Sequence, residues 1–229
     1  MKSTAPASVA SIVVPRPFAA PLPIVVKRLG LVDYEPTWRE MQEFTTSRTD
    51  DTPDELWLLE HPPVYTLGIA GRDEHLPRIA NGIPVVRVDR GGQITYHGPG
   101  QVVVYLLLDM RRRGLNVRPL VRLMEQAVID LLAGCGVAAA GRVDAPGVYT
   151  GNAKIAALGL RIRRGCCYHG LALNVEMDLG PFRDIDPCGY PGLDVTQTRD
   201  LGIAGAPDTI GAQLIQNIIK LLPAPAASR

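Results

Sequence analysis

The run Val102-Val103-Val104-Tyr105-Leu106-Leu107-Leu108 leaves no regular place for a wet face. A strand with one side in water alternates apolar and polar side chains, so this run is predicted to be a strand covered on both faces. Upstream, Val85-Val86-Arg87-Val88-Asp89 reads as another strand. Between the two lies Arg90-Gly91-Gly92-Gln93-Ile94-Thr95-Tyr96-His97-Gly98-Pro99-Gly100-Gln101, read as a loop with four glycines and one proline. Glycine lets the main chain take positive φ and lets a ligand come close to it. Arg90, Gln93, Thr95, Tyr96 and His97, with the backbone N–H groups, supply hydrogen-bonding partners. The stretch is therefore expected to bind a ligand. It matches neither the dinucleotide fingerprint nor the phosphate loop, so these residues do not say which.

The 229 residues allow one large domain or two small ones. A hydrophobic content of 46%, 21% charged residues and a net charge of +1 describe a soluble globular chain. They give no reason to expect nucleic acid or a membrane as a partner. No apolar run approaches the ~20 residues that span a bilayer. Pro6, Pro15, Pro17, Pro21 and Pro23 spoil the N-terminal segment as a signal peptide. Four cysteines, two of them adjacent, do not make a disulfide framework, and a cytoplasmic location is expected.

Residues 1–22 and 223–229 are expected to be mobile extensions, with one catalytic domain over 23–222. Ile24-Val25-Val26 begins the first strand, a helix is predicted over about 35–48, and Leu56-Trp57-Leu58-Leu59 and Val64 to Gly68 are short strands. Asn116 and Pro119 open a helix that ends at Gly134 or Gly136. Its apolar stripe runs from Leu120 through Met124 to Leu132, which places Met124 in the core and Cys135 at the helix end as a structural thiol. Gly151-Asn152 is a hairpin-type turn between Gly147–Thr150 and Lys154–Ile162, and Tyr168 to Val175 adjoins them as a third strand. A last helix starts near Asp208 and stops at Pro223. The mixture is one α/β or α+β domain.

Cys188 sits in Asp186-Pro187-Cys188-Gly189-Tyr190, a tight loop bounded by proline and glycine. Accessible thiols beside a cation become thiolates and nucleophiles, whereas buried structural cysteines are inert. Lys154 follows the hairpin turn with no acid in the next ten residues. Were it to meet Cys188, it could stabilise the thiolate and later take a proton from an incoming amine. Cys166, Cys167, His169 and Cys188 lack the paired spacing of a zinc module, so no metal is expected. Arg111-Arg112-Arg113 and Arg161 with Arg163-Arg164 read as solvated faces that could also dock an acidic protein.

Arg90 to Gln101, Gly151-Asn152-Ala153-Lys154-Ile155-Ala156, His169-Gly170-Leu171-Ala172-Leu173-Asn174 and Ile185-Asp186-Pro187-Cys188-Gly189 together resemble the lipoyl(octanoyl) transferases. The likeness runs in order from about Gly30 to Lys220 and includes Leu59-Glu60-His61-Pro62; Gln197, where that family more often has serine, departs from it. The resemblance implies a single-domain fold like that of biotin and lipoate protein ligases, a mixed β-sheet flanked by helices. It implies that octanoyl passes from octanoyl-acyl carrier protein to a lysine of a lipoyl domain, the first step of endogenous protein lipoylation. The acceptors would be lipoyl domains of 2-oxoacid dehydrogenase E2 subunits and glycine cleavage H protein. Cys188 would carry the thioester and Lys154 would tune its pKa. Arg90, Gly91, Gly92, Gln93, Ile94, Thr95, Tyr96 and His97 would line the acyl site, with Ala157, Leu158, Gly159, Gly170, Leu171 and Ala172. No cofactor, metal, nucleic acid or membrane is implied, and a monomer is expected. An ATP-dependent ligase of the same fold and a non-catalytic carrier-binding module are the alternatives; neither has need of a cysteine nucleophile.

Overall fold

A computed structural model describes residues 22–186 and 192–225. The doubly covered strand is β6 (Gln101–Asp109), and its neighbours explain the coverage. Val102, Val104, Leu106 and Leu108 face one way, into a core closed by α2 (Val117–Gly134) and α3 (Pro207–Leu221). Val103, Tyr105 and Leu107 face the other way, against Trp57, Leu59 and Met41 of α1 (Tyr34–Ser47). Each such side chain, fully removed from water, contributes at most ~1.5–3 kcal/mol.

Around β6 the main sheet has the order β1-β2-β6-β10-β9-β8-β7. Its other strands are β1 (Ile24–Leu31), β2 (Asp54–Glu60), β7 (Ala140–Gly141), β8 (Val148–Thr150), β9 (Ala153–Arg163) and β10 (Cys166–Asn174). β1 and β2 are parallel and the remaining pairs antiparallel, so the sheet is mixed, as expected. A second sheet, β4-β3-β5, is built from β3 (Val64–Leu67), β4 (Val85–Arg87) and β5 (Ile94–His97).

β5 corrects one expectation. The glycine-rich stretch is not all loop, because Ile94–His97 pairs antiparallel with β3 from Val64↔His97 to Leu67↔Ile94. Turns on either side mask a four-residue strand whose partner lies about thirty residues upstream. Asn116 occupies the α2 N-cap position without a side-chain cap bond. The arginine triplet is a second correction. Arg113 is buried and its Nε donates to Asp54 Oδ2 at 2.5 Å; Arg112 and Arg48 donate to Asp54 Oδ1 at 2.8 and 2.6 Å. Burial would raise the Asp54 carboxyl, but these bonds and the Asp109 N–H hold it below its usual value. Arg111 alone of the three is exposed. The expected termini, 1–22 and 223–229, fall almost entirely outside the described residues. Among the described residues no helix is long and apolar enough to cross a membrane.

Candidate functional site

β9 and β10 carry small side chains where they pair. Ala157 lies opposite Ala172 and Gly159 opposite Gly170, while Val103 and Tyr105 of β6 continue the same rows. Small residues in two adjacent strands leave a trough in the sheet, and the second sheet roofs it. The cleft between them has a mainly apolar lining. Arg90, Gly92, Gln93, Ile94, Thr95 and His97 line it from the roof. Leu158 and Leu171 border it, although their side chains join the core on the far side of the sheet.

Two predicted lining residues are placed elsewhere. Tyr96 packs with Tyr65 and Phe182 in a cluster behind the roof, because side chains alternate along β5. Gly91 is not part of the lining; its N–H donates to Leu160 O at 2.9 Å and ties the roof to β9.

A satisfied polar chain holds the roof in register. Arg90 donates to Thr66 Oγ1 and O at 2.7 and 2.6 Å, and Thr66 Oγ1 lies 3.4 Å from His97 Nε2. His97 Nδ1 donates to Gln101 Oε1 at 2.7 Å, Gln101 donates to Asn174 Oδ1 at 3.0 Å, and Asn174 donates to Thr196 O. The Thr196 N–H in turn donates to Lys154 O at 3.0 Å. Both His97 ring nitrogens are therefore engaged, and the residue orients the loop. Burial pushes its pKa down to about 3.

A second chain lies below. His61 Nδ1 donates to Val32 O and His61 Nε2 accepts from the Tyr105 hydroxyl, both at 2.7 Å, and the Tyr34 ring at the cleft wall packs with its centroid 4.9 Å from that of His61. Burial lowers His61 to about 4 and raises both tyrosines well above their usual value. Sequence reasoning passed over Tyr34, Tyr105 and Asn174; a tyrosine inside an apolar strand and an asparagine at a strand end were the available signals.

Lys154 is not the solvated strand-end lysine that its position suggests. It is 3% exposed and lines the cleft. Its Nζ donates to Pro146 O at 3.4 Å and lies 5.2 Å above the Tyr149 ring. Its backbone pairs with the segment Asp194–Thr196. Cys188 lies outside the described residues, with Pro187 to Pro191. The chain enters that segment from the cluster holding Ile185 and returns to the same cluster at Val195. Cys135 is exposed, so the structural role expected of it is not met. Cys166 and Cys167 are buried, and burial pushes the Cys167 thiol up to about 12. Gln197 is buried, accepting from Met177 N at 2.7 Å. Among the described residues no three His, Cys, Asp or Glu are placed to hold a metal ion.

Residues 33–209 match the family "Lipoyl protein ligase A/B catalytic domain". The fold is shared with a solved structure described as a putative lipoate protein ligase from T. acidophilum with bound lipoic acid, at a TM-score of 0.68 and 18% identity, covering 86% of this chain and 85% of that one. An apolar cleft between two sheets on this scaffold defines a catalytic domain of the lipoyl protein ligase and transferase class. The chain is 62% identical over 205 residues to the octanoyltransferase of Azoarcus sp. (strain BH72), covering 90% of each. It is 67% identical over 180 residues to that of Thiobacillus denitrificans, covering 79% of this chain and 82% of the relative. The chain belongs to the octanoyltransferase family, acyltransferases that move octanoyl groups in protein lipoylation.

Proposed function

We propose that the enzyme takes octanoyl from octanoyl-acyl carrier protein onto Cys188 and passes it to a lysine of a lipoyl domain. The observation that carries this reading is the buried amine of Lys154 in an apolar trough floored by alanine and glycine. Cys188 is six positions before Asp194, whose carbonyl accepts from Lys154 N, so chain length alone keeps them within ~20 Å.

The proton balance is self-contained. A Cys188 thiolate beside an ammonium attacks the carrier thioester carbonyl and expels the carrier thiolate, which takes a proton from Lys154. The neutral Lys154 then receives a proton from the acceptor amine as that amine attacks the acyl-cysteine. Cys188 leaves as thiolate and the ion pair is restored. The first step exchanges one thioester for another and the second ends in an amide, so neither requires ATP. Lipoyl domains of 2-oxoacid dehydrogenases and glycine cleavage H protein are the proposed acceptors.

Octanoyl-carrier protein alone is expected to add one hydroxylamine-labile octanoyl mass at Cys188, and Cys188→Ala to abolish it. Lys154→Met is expected to slow transfer by ~10²–10⁴-fold in a folded protein. Acyl label on Cys135, or an absolute need for ATP, refutes the reading.

A further inference from the structure

Five buried side-chain polar atoms among the described residues have no hydrogen-bond partner, and two of them belong to residues lining the cleft: His169 Nδ1 and Gln93 Oε1. His169 is 1% exposed and takes a left-handed backbone, φ 64°, within β10. By register it lies opposite Leu160, between Cys167 and Leu171, whose side chains point into the core beneath α2. The positive φ instead turns the imidazole to the cleft face, where it stacks on Tyr168 and meets Tyr105 edge-on. A non-glycine residue held at positive φ is uncommon, and such strain persists where the surroundings over-determine it.

What holds the ring is Asp89. His169 Nε2 lies 3.1 Å from Asp89 Oδ1, and the same carboxylate accepts from Trp38 Nε1 at 2.8 Å, Gln42 Nε2 at 3.2 Å and the Tyr168 hydroxyl. Burial would raise this carboxyl, but the four donors hold it far below the usual range, so it is ionised. His169 is pushed down by burial, against the pull of Asp89, with Arg90 and Arg161 also disfavouring a charged ring. A neutral ring donating Nε2–H to a carboxylate leaves a lone pair on Nδ1. The Nε2 edge is turned to Asp89, which is not part of the cleft lining, while the ring itself lines the cleft. Gln93 Oε1 is an acceptor too. Both unmet atoms call for a donor.

Their position excludes work on the reacting carbonyl. His169 pairs with Leu160, while the Lys154 side chain reaches Gly147 beside Ala156, so about four residues of strand, ~13 Å, separate the imidazole from the amine. With a thioester held at Lys154, an extended octanoyl chain would point its tail, not its carbonyl, toward the imidazole.

We infer that His169, oriented by Asp89, is a specificity-determining residue that lets the cleft accept medium-chain acyl groups carrying a hydroxyl or thiol donor at the far end. This rests on the cleft being the acyl site. A plain methyl tail leaves Nδ1 unmet, whereas a terminal hydroxyl donates to it and recovers its own desolvation cost.

The test compares octanoyl with 8-hydroxyoctanoyl, and decanoyl with 10-hydroxydecanoyl, as carrier-protein thioesters competing for a lipoyl domain. His169→Asn keeps a residue that tolerates positive φ but shortens the side chain; Asp89→Asn removes the charge that sets the tautomer. The hydroxyacyl-to-acyl ratio of kcat/KM is expected to fall about tenfold in His169→Asn and by less in Asp89→Asn. Calorimetry with octanoate and 8-hydroxyoctanoate on the wild-type protein reads the cleft without catalysis, and the hydroxy acid is expected to bind at least as tightly. A hydroxy acid bound tenfold more weakly, or ratios unchanged by both substitutions, overturns the inference. Absence of octanoyl transfer, with the binding preference intact, instead counts against the proposed reaction.

Discussion

Acidification from pH 7 to pH 5 is expected to remove about 4 kcal/mol of stability through His61 and His97, and His169, also buried with a lowered pKa, adds to the loss in the same direction. His61 is wholly buried and titrates at about 4, and His97 at about 3. In the unfolded chain each titrates near ~6.5, and each unit of difference is worth ~1.36 kcal/mol. Below pH ~6.5 the unfolded state therefore binds protons that the folded state refuses, and stability falls as pH falls. At pH 5 the difference is ~1.5 units for each ring, or ~2 kcal/mol apiece. Neither ring is yet protonated in the folded state there, so their mutual repulsion across 5.9 Å does not enter and the two contributions add. The depressed carboxyls of Asp54 and Asp89 have the opposite window. Their contribution is intact above the unfolded value of ~3.9 and is lost only below it, which leaves pH 6.5–4.5 to the histidines. A loss of this size is a large share of the ~5–15 kcal/mol that holds a domain of this kind. Urea unfolding at pH 7.5, 6.5, 5.5 and 5.0 measures it, and His61→Gln is expected to reduce the pH-dependent loss by ~2 kcal/mol whatever its effect at pH 7.5. Unfolding free energies that stay level between pH 7.5 and 5.0 refute the reasoning.

Iodoacetamide at pH 8 is expected to modify Cys135 and spare Cys166 and Cys167, since the first is exposed and the others are buried with raised thiol pKa values; peptide mass mapping of the native protein decides. Asp54→Ala strands Arg48, Arg112 and Arg113 beside a missing carboxylate, and a loss of ~3–5 kcal/mol is expected in urea unfolding. Gly170→Ala would set a Cβ 2.1 Å from Val104 O, a backbone atom that cannot step aside. A cost of about 3 kcal/mol and a lowered Tm are expected, and an unchanged Tm would contradict the described approach of β10 to β6.

The order of strands and helices was legible from periodicity because local patterning and tertiary packing agree there. β6 needed cover on both faces and has it, and α2 and α3 present the stripes expected of them. The strand inside the glycine-rich stretch was not legible, since four residues between turns carry no period and β5 exists only because β3 is beside it. Most of the motif residues, from Arg90 on the roof to Ala172 on the floor, line one cleft, though not Gly91 or Tyr96. What each side chain does there was decided by the fold. His97 has both nitrogens engaged, Tyr96 is turned away, Lys154 is buried, and the arginine triplet surrounds one aspartate. Burial, charge and hydrogen-bond satisfaction depend on atoms far apart in the chain. His169 is the plainest case: by alternation it belongs in the core, and a positive φ imposed by Asp89, Tyr168 and the approach of Gly170 to Val104 turns it into the cleft.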